Sequence, residues 1–171
     1  TDPESPVPFI SASESFHNSS FASFIRSKGS GDTYVMSGFI NWINQLGHPK
    51  IELKCDQEPS TIDVRNQLAK RCEVTQLVLF ATPKGSQGSL GAGERTHLTI
   101  EGRIRAIKHN LEEHINSALP KTETSIKLKL PRGHVLIPWL FRHVSWCQDR
   151  FQVKQNGKTV TTRNREGCQI V

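Results

Sequence analysis

Two carboxylates stand where a cation-dependent reaction would need them. Asp56 follows Ile51, Leu53 and Cys55, which alternate with charged residues as a strand would, and the pattern stops at Asp56. Open α/β sheets place ligand sites beyond the carboxyl ends of their strands. Glu94 opens a helical stretch directly after a Gly/Ser-rich segment at 82–93. The interval between the two has room for one helix, one strand and one loop, so a right-handed crossover brings both to one sheet edge. Carboxylates gathered there suit Mg²⁺, a hard cation that shares its shell with substrate phosphates. A metal pair can activate an attacking oxygen and stabilise a leaving one. The plainer roles are a turn former at Asp56 and a first-turn acid favoured by the helix dipole at Glu94. Residue types alone leave both readings open.

The elements that would carry them follow from periodicity. Residues 9–13 and 21–26 read as two short strands joined by the turn His17-Asn18-Ser19-Ser20, a hairpin. Asp32 or Thr33 caps a helix with Val35, Phe39, Trp42, Ile43 and Leu46 on one stripe, and Gly47-His48-Pro49 stops it. Ser60 with Asp63 resembles a capping box that opens a second helix running to about Cys72. Residues 74–81 form a buried-type strand. From Glu94, Ile100, Ile104, Ile107, Leu111, Ile115 and Ala118 step along one face of a long helix. The last helix spans 134–151, with Leu136, Trp139, Leu140, His143 and Cys147 inward. Trp42, Trp139 and Trp146 fall at core spacing, His97 and His143 at packing positions, and His109 and His114 on the surface. Residues 155–157 form a turn before a polar tail. Strands alternating with helices imply parallel pairing, and the leading hairpin makes the sheet mixed.

A length of 171 residues suits one domain able to bury a core. Its parts are an irregular end at 1–8, a core at 9–154 and a tail at 155–171. No apolar run is long enough to span a membrane, and no secretory signal pattern opens the chain. It begins with Thr1 rather than Met, as a piece of a longer chain would. Cys55, Cys72, Cys147 and Cys168 are far apart and form no CxxC, so they read as free thiols of a reducing compartment rather than a zinc site. Charge is uneven. Residues 1–93 hold 8 Lys/Arg against 9 Asp/Glu, whereas 94–171 hold 14 against 7. A basic half suits a polyanionic partner or simply a soluble basic surface.

The run Cys55-Asp56-Gln57-Glu58-Pro59-Ser60 on its strand resembles the middle-aspartate motif of retroelement integrases. The stretch GAGERTHLTIEGRIRAIK at 91–108 is similar to their glutamate helix, and residues 81–89 to their active-site loop. WLFRHVSWCQDRFQVKQNGKT at 139–159 resembles the closing helix and turn of one retrotransposon branch, and Lys28-Gly29-Ser30-Gly31-Asp32 fits the same branch. Together these cover roughly 7–165. The resemblance implies a ribonuclease-H-like fold, with a mixed sheet and helices on both faces. It implies a triad of two aspartates and a glutamate, in which Asp56 and Glu94 are the second and third members and ligands of Mg²⁺ or Mn²⁺. The first aspartate lies on a strand that this chain lacks. Asp2 sits in a Pro-rich end, and Glu14 matches a turn position that the family does not use for metal. The chain also departs from the pattern at Leu90, where a polar residue is usual, and at 160–163, where an aromatic is common.

The expected activity is therefore DNA end processing and strand transfer by an integrase core of a retroelement polyprotein, here a truncated and inactive copy. Arg105 and Lys108 share the Glu94 face, ~16–21 Å along the helix, with Arg103 beside them. They would contact DNA phosphates, which positions DNA without reading its sequence. Alternatively they pair with Glu101 and Glu112 as a solvated face. The expected partners are DNA and further copies of the chain, inside the cell and in the nucleus. One rival is a catalytically dead nucleic-acid-binding module of the same fold. Another is a nuclease for RNA–DNA hybrids, against which the long loop before a basic helix argues.

Overall fold

A computed structural model describes residues 7–73, 76–81, 91–118, 128–131, 133–153 and 157–160. The elements run β1 (Phe9–Ser13), β2 (Ser20–Phe24), α1 (Thr33–Gln45), β3 (Lys50–Cys55), α2 (Pro59–Arg71), β4 (Gln76–Ala81), α3 (Gly91–Ala118) and α4 (Leu136–Phe151). The expected order of hairpin, helix, strand, helix, strand, helix, helix is the observed one. The result is a mixed α/β architecture with four helices and two small sheets among the described residues, one antiparallel and one parallel.

β1 and β2 pair antiparallel from Phe9↔Phe24 to Ser13↔Ser20. Side chains alternate across a strand, so this ribbon feeds two cores. Phe9, Ala22 and Phe24 pack with Ile100, Ile104, Leu140 and Val144 from α3 and α4. Ile10, Ala12 and Phe21 pack with Met36, Phe39, Ile43, Val64 and Leu68 from α1 and α2. The parallel pair, from Lys50↔Gln76 to Cys55↔Ala81, adds Ile51, Leu53 and Leu77 to the second core. No described strand pairs with the outer edge of β1 or with that of β3. The two sheets are thus linked by a shared core and not by a ladder.

Local chemistry explains most boundaries. The Asp32 carboxylate caps α1 by accepting from Tyr34 N at 3.1 Å and Val35 N at 3.2 Å, and Gly47 takes φ +70°, which favours glycine, just past its end. The expected capping box at Ser60 is not formed. α2 starts at Pro59, with Glu58 as its N-cap and no side-chain capping bond, because proline is pre-set for a first helical turn. Asp63 is used elsewhere. It accepts from Ser30 N at 2.8 Å, and its hydrogen bonds with Ser30 hold its carboxyl below the usual range.

α3 begins at Gly91, ahead of the expected Glu94. Only Ile100 and Ile104 of its stripe are buried, since the helix runs past the ribbon. Its far end is tied down by Glu112, which accepts from Leu130 N at 2.7 Å, and by Asn116, which accepts from Leu128 N at 2.7 Å. α4 corrects the sequence reading most clearly. Its buried side is Ile137, Leu140, Phe141, Val144, Ser145 and Gln148, while Trp139 and Trp146 are 52% and 49% exposed. The neighbour is Ala22, fully buried on β2. That close approach is filled by Leu140, Phe141 and Val144, and the indoles lie outward.

Leu140 has no solvent exposure. Leu140→Ala is expected to cost ~2–5 kcal/mol through lost burial and a residual cavity, read as a lower denaturant midpoint at an unchanged slope.

Candidate functional site

Asp56 is exposed and directly follows β3. Its surroundings come from two loops. Lys28, from the β2–α1 connection, forms an ion pair with Glu58. That pair raises the Lys28 pKa, with a smaller contribution from the Asp56 charge, and lowers the Glu58 pKa. Cys55 beside it is a half-buried thiol whose pKa is pushed up, by burial first. A raised pKa keeps it protonated and poorly nucleophilic. Cys72 and Cys147 form no disulfide among the described residues; Cys168 lies outside them.

Glu94 is exposed in the first turn of α3. That end of the helix faces the hairpin turn across a cleft of about 230 Å³ lined by Ser13, Glu14, Asn18, Arg95, Thr96 and Gln148. Among the described residues, no ion pair involves Asp56 or Glu94. The loop at 82–90 and Asp2 lie outside the described residues.

Of the four Lys/Arg residues on α3, the three singled out from the sequence are each engaged. Arg103 donates from Nη1 to Gln148 Oε1 at 3.2 Å, which bridges to α4. Arg105 pairs with Glu101, and Lys108 with Glu112 at 3.6 Å. Exposed pairs of this kind contribute ~0–1 kcal/mol, so a phosphate can displace either glutamate. Arg142, which sequence reasoning did not single out, lies over the Phe21 and Tyr34 rings at 5.6 Å from each centroid. It packs against Gly38, where a Cβ would meet its Nη1 at 2.5 Å.

A second constellation escaped the sequence reading. Glu14 and His17 in the β1–β2 turn meet His48 from the α1–β3 connection, with one ligand atom from each lying within 4.8 Å of the others, so the cluster can hold a metal ion. Glu14 Oε2 lies 3.3 Å from His17 Nδ1, and Glu14 Oε1 lies 3.9 Å from His48 Nε2. The imidazoles stack with centroids 4.9 Å apart. The i,i+3 spacing of Glu14 and His17 was visible, but His48 comes from a distant helix stop that read only as a terminator.

The turn itself is well fastened. Asp149 on α4 accepts from Ser19 Oγ, from Ser20 N at 3.0 Å and from Ser20 Oγ at 3.2 Å. Trp42 Nε1 donates to Ser19 Oγ at 2.9 Å, and Asn18 adopts φ 58°.

His97 is structural, as expected. It stacks on Phe9 with centroids 4.0 Å apart and shares a 2.9 Å hydrogen bond with Ser11 Oγ. Burial lowers its pKa below 6.5, against a smaller opposing effect of Glu101. A folded-state pKa below the unfolded one means that the unfolded chain binds the proton more readily. The stability His97 contributes is therefore complete above about pH 6.5 and is lost as pH falls from there through the folded pKa. Melting curves at pH 7.5 and 5.5 should show this loss, and His97→Phe should remove that component while keeping the stack.

No family model matches the chain, and no characterised protein matches its sequence. Among the described residues no helix is long and apolar enough to cross a membrane.

Proposed function

We propose that this chain is the larger part of an integrase-type catalytic core of ribonuclease-H-like fold, which processes DNA ends and joins them to target DNA. The observation that carries the reading is the placement of Asp56 directly after a strand of the parallel pair and of Glu94 in the first turn of the long helix that follows it. The resemblance sets the first aspartate on a strand ahead of the hairpin, and the outer edges of β1 and β3 are both open among the described strands. Hydrophobic residues from both flanks, Ile10 and Ala12 against Ile51 and Leu53, already border one core.

The donor chemistry fits a hard cation. Asp56 and Glu94 are exposed carboxylates with no ion-pair partner among the described residues. Mg²⁺, or Mn²⁺ in its place, would neutralise charge at the scissile phosphate and polarise the attacking water or 3′-hydroxyl. The chain's own residues hold the cation and position the DNA. Arg105 and Lys108 extend along α3 from Glu94 and exchange their glutamate partners for phosphates, while Arg103 steadies α3 against α4. The exposed aromatic ridge of α4, in which Trp139 stacks on His143 at 4.2 Å, suits a face shared between copies. Such a protein works inside the cell, at nuclear DNA.

The test is cleavage of supercoiled DNA with Mg²⁺ or Mn²⁺. Loss of nicking in Asp56→Asn and Glu94→Gln, with DNA binding retained, supports the reading, and nicking indifferent to both contradicts it. A second reading is a catalytically inert DNA-binding module. One observation favours it: among the described residues, the only cluster of three or more such ligands, Glu14 with His17 and His48, includes neither Asp56 nor Glu94. DNA binding without any metal-dependent nicking would select it.

A further inference from the structure

We infer that Glu14, His17 and His48 form a Zn²⁺ site, separate from Asp56 and Glu94, that ties the β1–β2 turn to the entry of β3. Zinc bound at about 2.0–2.2 Å in a tetrahedron sets its ligand atoms roughly 3.4 Å apart. The Glu14 Oε2 to His17 Nδ1 distance is 3.3 Å, and the Glu14 Oε1 to His48 Nε2 distance is 3.9 Å. One ligand atom from each residue lies within 4.8 Å of the others, so closing to that spacing asks for side-chain shifts of roughly 1 Å.

The ligands are pre-arranged. The Glu14 carboxylate accepts from the backbone N–H groups of Phe16 and His17, the latter at 2.7 Å. Such outer bonds orient metal ligands. The Phe16 ring stands edge-on to both imidazoles, with centroids at 4.8 Å from His17 and 5.8 Å from His48. A second observation points to a ligand here: His48 Nε2 is buried with no hydrogen-bond partner among the described residues, and 3.9 Å to Glu14 is too long for one. A buried polar atom left in that state is costly.

The donor set selects the ion. Two imidazoles and one carboxylate suit Zn²⁺, whereas Mg²⁺ and Ca²⁺ prefer all-oxygen shells. Three protein ligands leave a fourth position for water. The location gives the site a role. The hairpin and the parallel pair share no ladder among the described strands, and Glu14 and His17 belong to one while His48 leads into the other. A cation here fastens the two sheets at one end. It binds the folded chain and not the unfolded one, so it stabilises the fold in proportion to its affinity.

The experiment uses the 171-residue chain, stripped of metal by a chelator and titrated with ZnCl₂ or MgCl₂. One Zn²⁺ per chain is expected, with Tm rising by ~5–10 °C at a hundredfold excess over Kd and no change with equal Mg²⁺. Co²⁺ should give the visible absorption of a four-coordinate nitrogen and oxygen site without a thiolate charge-transfer band. His48→Gln should leave the metal-free Tm in place and weaken Zn²⁺ binding more than ~100-fold, beyond the ~10–100-fold effect of outer-shell changes. Asp56→Asn should leave Zn²⁺ binding intact, which separates this site from the proposed catalytic one. Undiminished binding by His48→Gln, a thiolate band with Co²⁺, or loss of Zn²⁺ on replacing the cysteines by serine overturns the inference. If His48→Gln does not fold, the Co²⁺ spectrum of the unmodified chain decides.

Discussion

Extending the chain upstream of Thr1 by a strand that carries aspartate is expected to raise Mg²⁺-dependent strand transfer at least ~10³-fold. On the proposed reading Asp56 and Glu94 would hold one cation weakly, but an in-line displacement assisted by two metals needs a ligand shared between them. Losing that ligand removes charge neutralisation and the alignment of the attacking oxygen. The deficit is several kcal/mol, and each ~1.36 kcal/mol is tenfold in rate. The fold offers the strand a place, because β1 and β3 each present an edge that no described strand covers, and such edges recruit strands readily. In the extended chain, Asp56→Asn or Glu94→Gln should return the rate to background. Turnover by the unextended chain, abolished by Asp56→Asn, would mean that another residue such as Asp2 or Glu14 completes the site.

Duplex DNA should bind without sequence preference, and its affinity should collapse with salt. Residues 94–171 carry 14 Lys/Arg against 7 Asp/Glu, and each neutralised phosphate releases counterions. Six such contacts would cost ~10³ in affinity between 50 and 200 mM salt. Arg105→Ala and Lys108→Ala should each weaken binding uniformly and flatten the salt slope by about one. Their pairing with Glu101 and Glu112 softens the loss at low salt, since each cation must leave a partner. Arg103 makes a poorer probe, because its bond to Gln148 couples it to helix packing. Fluorescence anisotropy over a salt series measures all three. Salt-independent or sequence-selective binding would contradict the proposed basic face.

Elements whose signal is local were legible in the sequence. β1 was placed at its observed bounds from alternation and turn residues alone. Asp32 announced α1, and the alternation before Asp56 announced β3. Features that depend on tertiary contacts were not legible. The indoles of α4 lie at helical core spacing, yet the inward face is decided by what fits against Ala22. Ser60 and Asp63 have capping-box spacing, but Pro59 and the distant Ser30 claim the helix start and the carboxylate. The site divides in the same way. The boundary positions of Asp56 and Glu94 were legible, one just past a strand and the other in a helix's first turn. The Glu14, His17 and His48 cluster joins a turn to a helix stop, and no periodicity links those positions.

Anomalous scattering from crystals of the strand-extended chain soaked in Mn²⁺ bears most directly on the proposed catalytic centre. The expected result is a Mn²⁺ peak bound by both Asp56 and Glu94, with a second ion ~4 Å away. Carboxylates more than roughly 10 Å apart, too far to share ions at that spacing, with Mn²⁺ bound elsewhere or not at all, would contradict a metal-dependent strand-transfer core.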